Sequence, residues 1–118
     1  MKTKLLSITA LVACLLLSSL LAFAHAVLIS STPRAHETLH GPSFDIDLKF
    51  NSRVDSTRSS LSVVAADGSV KMISLSKQNE PNELVAHAQF PAGNYTLRWQ
   101  ALAVDGHITR GQIPFTVA

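Results

Sequence analysis

Apolar and polar side chains alternate along most of the chain after residue 25. From Phe44 to Phe50 every second residue is apolar, and the residues between them are Asp45, Asp47 and Lys49. A period of two places one set of side chains in a core and the other in solvent, which is typical of a half-buried β-strand. The same alternation predicts strands at 61–65, 84–90, 95–101 and 113–117.

Turn-forming residues separate these segments. Asp67-Gly68 precedes an apolar run at 70–75 and predicts a hairpin. Tyr95 follows the turn at 91–94, a position typical of a corner tyrosine whose hydroxyl bonds the backbone. No window has the 3.6-residue period of an amphipathic helix. Counting a first strand at 26–31, about seven short strands predict an all-β fold, an immunoglobulin-like antiparallel β-sandwich.

The apolar positions of these strands define the expected core of one small domain. Its members are Leu28, Phe44, Ile46, Leu48, Phe50, Leu61, Val63, Leu97, Trp99, Phe115 and Val117. We interpret Met72 as a further packing residue. His87 falls on the polar face of its strand and is expected to be exposed.

The first 24 residues have the three parts of a secretory signal peptide. Lys2 and Lys4 give a positive start, residues 5–21 are mostly apolar, and Ala22-Phe23-Ala24 is an A-x-A cleavage site. Cleavage after Ala24 predicts export of one domain, residues 25–118.

Two alternatives apply to this leader. An uncleaved membrane anchor is one, because the apolar stretch is just long enough to span a bilayer. Lipidation of Cys14 is the other, because Leu11-Val12-Ala13 before it matches the pattern of bacterial lipoproteins.

Removal of the leader changes the charge balance. The full chain has 10 Lys and Arg against 8 Asp and Glu, but Lys2 and Lys4 belong to the leader, so the exported domain has no net charge. No basic stripe is left, and this argues against DNA or other nucleic acid as a partner. The single cysteine, Cys14, also leaves with the leader, which excludes a disulfide, a cysteine zinc site and a thiol nucleophile in that domain.

His25 becomes the first residue if cleavage follows Ala24. Its imidazole and its new primary amine can then chelate one metal ion. Asp105 and His107 add an oxygen and a nitrogen two residues apart, on the same side of an extended segment. Three nitrogens and one oxygen suit the planar geometry that Cu(II) prefers. The alternative for Asp105 and His107 is an ordinary Asp-Gly turn with a loop histidine.

The segment from His36 to His40 formally matches the H-E-x-x-H motif of zinc proteases. That motif needs a helix to bring both imidazoles onto one face. Pro33 and Gly41-Pro42 leave barely two turns for a helix within an all-β pattern. We therefore interpret the segment as a solvated loop whose histidines are candidates for a weak accessory metal site.

Several motifs resemble the CopC family of periplasmic copper-binding proteins, over essentially all of residues 25–118. They are His25-Ala26-x-Leu28-x-Ser30-Ser31-x-Pro33, then the Phe50-Asn51 strand end, then Pro91-x-Gly93-x-Tyr95-x-Leu97-x-Trp99, then Val104-Asp105-Gly106-His107 with Gly111 and Phe115-Thr116-Val117. Two positions depart from the family: His36-Glu37 replaces a small turn, and Ile108 replaces a frequent proline. Neither departure removes a ligand.

The resemblance implies a seven-stranded Greek-key sandwich that binds one Cu(II) through a histidine-brace-like site. By the family pattern the ligands are the amine and imidazole of His25, with Asp105 and His107. Some members have a second, methionine-rich Cu(I) site; beyond the leader this chain has only Met72, so it resembles the Cu(II)-only type.

The function implied is that of a periplasmic copper carrier or buffer in copper homeostasis or resistance. The protein is expected to be a monomer and to bind copper without acting as an enzyme. An inner-membrane copper transporter of the CopD type is the expected partner. Two alternatives are kept. The first alternative is a small copper-dependent oxidative enzyme, because a histidine brace also activates oxygen in polysaccharide-cleaving enzymes. A metal-free immunoglobulin-like interaction module is the other, and it predicts no specific Cu(II) binding.

Overall fold

A computed structural model describes residues 25–118 of the chain. The predicted signal peptide, with its two alternatives of anchoring and lipidation, lies outside the described residues. Among residues 25–118 there is no helix long and apolar enough to cross a membrane.

Two β-sheets make up the described part of the chain. The strands in chain order are β1 (Leu28–Thr32), β2 (Glu37–Leu39), β3 (Ser43–Phe50), β4 (Ser60–Ala65), β5 (Val70–Ile73), β6 (Glu83–Gln89), β7 (Gly93–Leu102) and β8 (Ile108–Val117). One sheet has the order β1-β3-β6, and the other has the order β2-β8-β7-β4-β5. The predicted all-β sandwich is confirmed, including the hairpin of β4 and β5 around Asp67-Gly68.

Strand β2 is the main difference from the prediction. Residues 37–39 were expected in a loop, but they pair in parallel with residues 115–117 of β8. His36, just before β2, has a φ of 65° and donates its backbone N–H to the Pro114 carbonyl at 2.6 Å. The sandwich therefore has eight strands and is not wholly antiparallel. Three residues are too few to show a period of two, so the sequence pattern could not reveal this strand.

The core lies between the inner faces of the two sheets, as the alternation predicts. Every residue of the predicted core is buried except Leu28 and Phe44, which are partly buried and pack against it. Trp99 of β7 meets the Phe50 ring edge-on, with 5.2 Å between ring centroids. Its indole also covers Gly111 of β8, where any Cβ atom would collide with the ring. The large indole on β7 thus occupies the space that the lack of a side chain at Gly111 leaves on β8.

The surroundings of Tyr95, His87 and Met72 test three further predictions about single side chains. The Tyr95 hydroxyl donates to the Pro91 carbonyl at 2.6 Å, which confirms the corner tyrosine. His87 is exposed as predicted, with Nδ1 2.9 Å from Oδ1 of Asp45. The interpretation of Met72 as a packing residue is wrong: it is 66% exposed. Met72 lies on the edge strand β5 directly opposite Ser62 of β4, so its side chain is on the outer face of the sheet, away from the core.

Candidate metal centre

The segment that follows His25 is fixed between the end of β3 and the start of β8. Ala26 is buried, and its carbonyl accepts a hydrogen bond from the Thr109 hydroxyl at 2.9 Å. Val27 donates its N–H to Oδ1 of Asn51 at 2.7 Å, and its carbonyl accepts the Asn51 N–H at 2.9 Å. These bonds hold the backbone next to His25 against the body of the sandwich.

Asp105 and His107 lie in the turn that joins β7 to β8. Gly106 between them has a φ of 89°, a conformation that glycine adopts at little cost. The Gly106 N–H donates to the Ala103 carbonyl at 2.9 Å, and the Ala103 N–H donates to the His107 carbonyl at 2.9 Å. The segment is therefore not extended but forms the Asp-Gly turn of the alternative interpretation, and this turn brings the two side chains together.

This turn places the Asp105 carboxylate against both donor groups of His107. Oδ1 accepts the His107 backbone N–H at 3.0 Å, and Oδ2 lies 2.8 Å from Nδ1 of the imidazole. A proton on Nδ1 completes the second bond and leaves the lone pair of Nε2 available to a metal ion.

The three residues predicted as ligands meet at one end of the sandwich. His25, Asp105 and His107 each offer a ligand atom, and these atoms lie within 4.8 Å of one another. The two imidazole rings are 4.3 Å apart between centroids and nearly perpendicular, at 74°. Asp105 and His107 are exposed and His25 is half-buried, so the cluster faces solvent.

The electrostatics of the cluster favour an ionised carboxylate. The pKa of Asp105 is lowered, first by the hydrogen bond from the His107 backbone N–H. Burial opposes this shift, while the His107 side chain and the nearby His25 imidazole add to it. The carboxylate therefore presents negative charge and free lone pairs at neutral pH, as a carboxylate ligand of a metal ion must.

The other histidines do not join this cluster. His36 and His40 flank β2, and the His36 N–H bonds Pro114 on β8. Pro114 lies seven residues along the chain from His107, which is roughly 24 Å at about 3.4 Å per strand residue. Glu37, the central acid of the H-E-x-x-H match, accepts the Arg34 N–H through Oε2 at 2.9 Å. A strand in place of a helix removes the geometry that a zinc protease needs.

A surface groove of about 430 Å³ lies elsewhere, on the outer face of the five-stranded sheet. Its walls include Arg98 and Arg110, and none of the three clustered residues lines it. The cluster and this groove are thus separate features.

Sequence reasoning missed Thr109 and Asn51, the two residues that hold the segment after His25. Their roles depend on hydrogen bonds between residues that are distant in the chain, 83 positions apart for Thr109 and Ala26. The available signals were the position of Thr109 two residues after His107 and the Phe50-Asn51 strand end in the family resemblance.

Comparison with solved structures identifies close counterparts of this fold. CopC from Methylosinus trichosporium OB3b is 29% identical, with a TM-score of 0.71 over 79% of this chain and 93% of that chain. PcoC from Escherichia coli, described as a methionine-rich copper resistance protein, is 26% identical, with a TM-score of 0.69 over 80% of this chain and 100% of that chain.

A curated relative and a family model also match this chain. The copper transport protein CutJ of Bacillus subtilis (strain 168) is 24% identical over 100 residues, which cover 81% of this chain and only 18% of CutJ. The chain thus spans less than a fifth of the length of that relative. Residues 28–118 match the CopC domain. The resemblance seen in the sequence motifs is confirmed, and the chain belongs to the CopC domain family.

Proposed function

We propose that this protein is a Cu(II) carrier or buffer that acts in copper homeostasis or resistance, with the copper ion as its cargo. The observation that carries the proposal is the cluster of His25, Asp105 and His107, whose ligand atoms lie within 4.8 Å of one another. Family membership and relatives described as copper resistance and copper transport proteins give independent support.

Each residue of the cluster has a distinct role in this proposal. The His107 imidazole and the Asp105 carboxylate supply one nitrogen and one oxygen from a single rigid turn. His25 supplies its imidazole, and cleavage after Ala24 converts its peptide nitrogen into a primary amine that adds a third nitrogen. A set of three nitrogens and one oxygen suits the tetragonal geometry of Cu(II).

The donor set also determines the oxidation state that we propose. Cu(I) prefers soft thioether and thiolate ligands. Met72, the single methionine after residue 24, is exposed on the edge strand β5 and is not one of the clustered residues. Reduction of the bound ion should therefore weaken its binding and release it. Tight Cu(I) binding in an anaerobic, reducing titration would contradict this part of the proposal.

A pair of proteins tests the proposed site directly. One begins at His25 and the other has a single glycine before His25, which moves the free amine away from the imidazole. Titration with Cu(II), followed by affinity and EPR measurements, should show tight one-to-one binding for the first protein and much weaker binding for the second. Equal binding would remove the amine from the ligand set, and no specific binding by either would favour a metal-free interaction module.

We further propose binding rather than turnover, by a periplasmic monomer that exchanges copper with an inner-membrane transporter of the CopD type. The similarity to part of the much longer copper transport protein CutJ supports such a partner. Membership of the CopC domain family, with relatives described as copper resistance and copper transport proteins, supports binding rather than turnover. Substrate oxidation with ascorbate or peroxide beyond that of free copper would instead establish an oxidative enzyme.

A further inference from the structure

Exposed apolar side chains lie on the two chain segments that carry the candidate ligands. The described residues include six large hydrophobic side chains that are exposed, and four of these follow or flank the candidate ligands along the chain. We call these four the apolar collar: Val27, Ile29, Val104 and Ile108, whose exposed fractions run from 48% to 69%. The remaining two, Val70 and Met72, lie on β5.

Each collar residue lies within four positions of a candidate ligand along the chain. Val104 directly precedes Asp105, Ile108 directly follows His107, and Val27 lies two residues after His25. The hydrogen bond from Thr109 to the Ala26 carbonyl joins the segment that carries Val27 to the strand that carries Ile108. The collar therefore lies on both backbone segments that supply the ligands.

Backbone hydrogen bonds hold two of the four collar residues, Val27 and Val104, so their exposure is not that of a loose loop. Both backbone groups of Val27 bond Asn51, and the Val104 N–H donates to the Arg53 carbonyl at 3.4 Å. None of the four side chains has a ligand atom. Single exposed apolar residues are ordinary on protein surfaces, but a group of them around a functional site marks a surface that another molecule covers.

The size of the collar limits what can cover it. A stable protein interface buries about 800 Å² on each partner, which is more than four aliphatic side chains provide. Short-lived encounters use smaller contacts. The collar is therefore too small for the interface of a stable dimer of this chain. Its size suits a brief contact that ends when copper has been transferred.

We propose that the apolar collar is the docking surface for a copper-accepting protein segment that carries its own metal ligand among apolar side chains. The inference rests on the proposed function, since a cluster that carries no copper needs no acceptor. Apolar contact around the ion brings the incoming ligand within reach and removes water from the contact. In CutJ the region similar to this chain is 18% of a longer copper transport protein, which supports a different polypeptide segment, rather than a second copy, as the occupant.

Copper transfer to two synthetic peptides tests the proposal. Both peptides chelate Cu(II) through a free N-terminus and a histidine at position three; one continues with leucines and the other with serines. The donor is the Cu(II)-loaded protein that begins at His25, and transfer is followed by stopped-flow absorbance. We expect transfer to the leucine peptide to be about tenfold faster, from burial of apolar area in the encounter.

Variants of the donor assign this preference to the collar. I29S/V104S/I108S should lose the preference for the leucine peptide while its Cu(II) affinity and EPR spectrum stay unchanged. V70S/M72S is the matched control, because it removes the two exposed apolar side chains of β5 and should keep the preference. V104S alone should give a partial loss, and it replaces the triple variant if circular dichroism shows that the triple variant is unfolded.

The outcomes that overturn the proposal are separate from failure of the proposed function. If wild-type protein binds no Cu(II), the proposed function fails before any transfer is measured. If it binds Cu(II) normally but transfers equally to both peptides, or if V70S/M72S loses the preference as well, the collar is not a docking surface for a protein segment. Collar-dependent binding to phosphatidylglycerol vesicles would assign it to a membrane surface, and a collar-dependent dimer in sedimentation would assign it to a second copy.

Discussion

The Asp105 carboxylate accepts the backbone N–H of His107 through one oxygen at 3.0 Å, and its other oxygen lies 2.8 Å from Nδ1 of the same residue. Two candidate ligands therefore hold each other in place through a three-residue turn around Gly106. Little side-chain reordering is needed when an ion arrives, and this lowers the entropic cost of binding. The turn also keeps the carboxylate ionised by lowering its pKa.

Substitution D105N separates the charge of Asp105 from its role in the turn. Asparagine retains an oxygen for the His107 N–H, but it removes the negative charge of a candidate ligand. Loss of an outer-shell partner alone typically costs about 10- to 100-fold in metal affinity, so Cu(II) affinity should fall by at least about tenfold. Competition titration against a chelator of known affinity measures this. Asp67 accepts the Ser69 N–H in a similar turn at 2.9 Å, so D67N is the matched control and should bind Cu(II) normally. Unchanged affinity in D105N would remove Asp105 from the ligand set.

Substitution T109V tests the bond that holds the segment after His25. Valine has nearly the shape of threonine but leaves the Ala26 carbonyl without its donor, which should cost about 1 kcal/mol of unfolding free energy. We also expect a several-fold loss of Cu(II) affinity, because His25 is then less well fixed beside His107. T116V is the control: its hydroxyl donates to Asn94 on an exposed surface, away from the cluster. Equal Cu(II) affinities for the two variants would show that Thr109 does not position His25.

Substitution E83Q tests a buried carboxyl on β6. Glu83 is 7% exposed, and its pKa is raised, first by burial and then by the neighbouring Asp47 carboxyl. A raised pKa means that the native state binds the proton more tightly than the unfolded state. Its contribution to stability is therefore present at low pH and is lost as pH rises through the native pKa.

Denaturant unfolding from pH 4 to pH 7 measures this contribution. Wild-type protein should lose stability relative to E83Q as pH rises, because glutamine has no charge to bury. Parallel pH profiles for wild type and E83Q would contradict the assignment.

Substitution G111A tests the packing of Trp99. A Cβ atom at residue 111 would collide with the indole, so the ring or the backbone of β8 must shift. Such overpacking typically costs about 1–3 kcal/mol, measured as a lower midpoint in urea unfolding. In G93A the new Cβ would lie 3.4 Å from the Tyr95 ring, an ordinary contact, and the loss should be smaller. A stable G111A with an unchanged Trp99 fluorescence spectrum would contradict this packing.

The alternation of side chains determined most of the fold. A period of two is a local property, so it revealed the strands and the burial of Trp99 without knowledge of their partners. The turn before Tyr95 likewise predicted that its hydroxyl bonds the backbone, and the acceptor is the Pro91 carbonyl four residues earlier. The sequence also named His25, Asp105 and His107, through the cleavage signal and the Asp-Gly-His motif.

Only the tertiary structure decided the features that depend on residues far apart in the chain. The parallel pairing of β2 with β8, the exposure of Met72 on an edge strand and the bond from Thr109 to Ala26 all follow from which strands become neighbours. The apolar collar is of the same kind, because Val27 and Ile108 are 81 positions apart and become part of one surface only when β8 packs beside the segment after His25. Local pattern fixes which side of a strand is buried, whereas long-range packing fixes which of those strands meet.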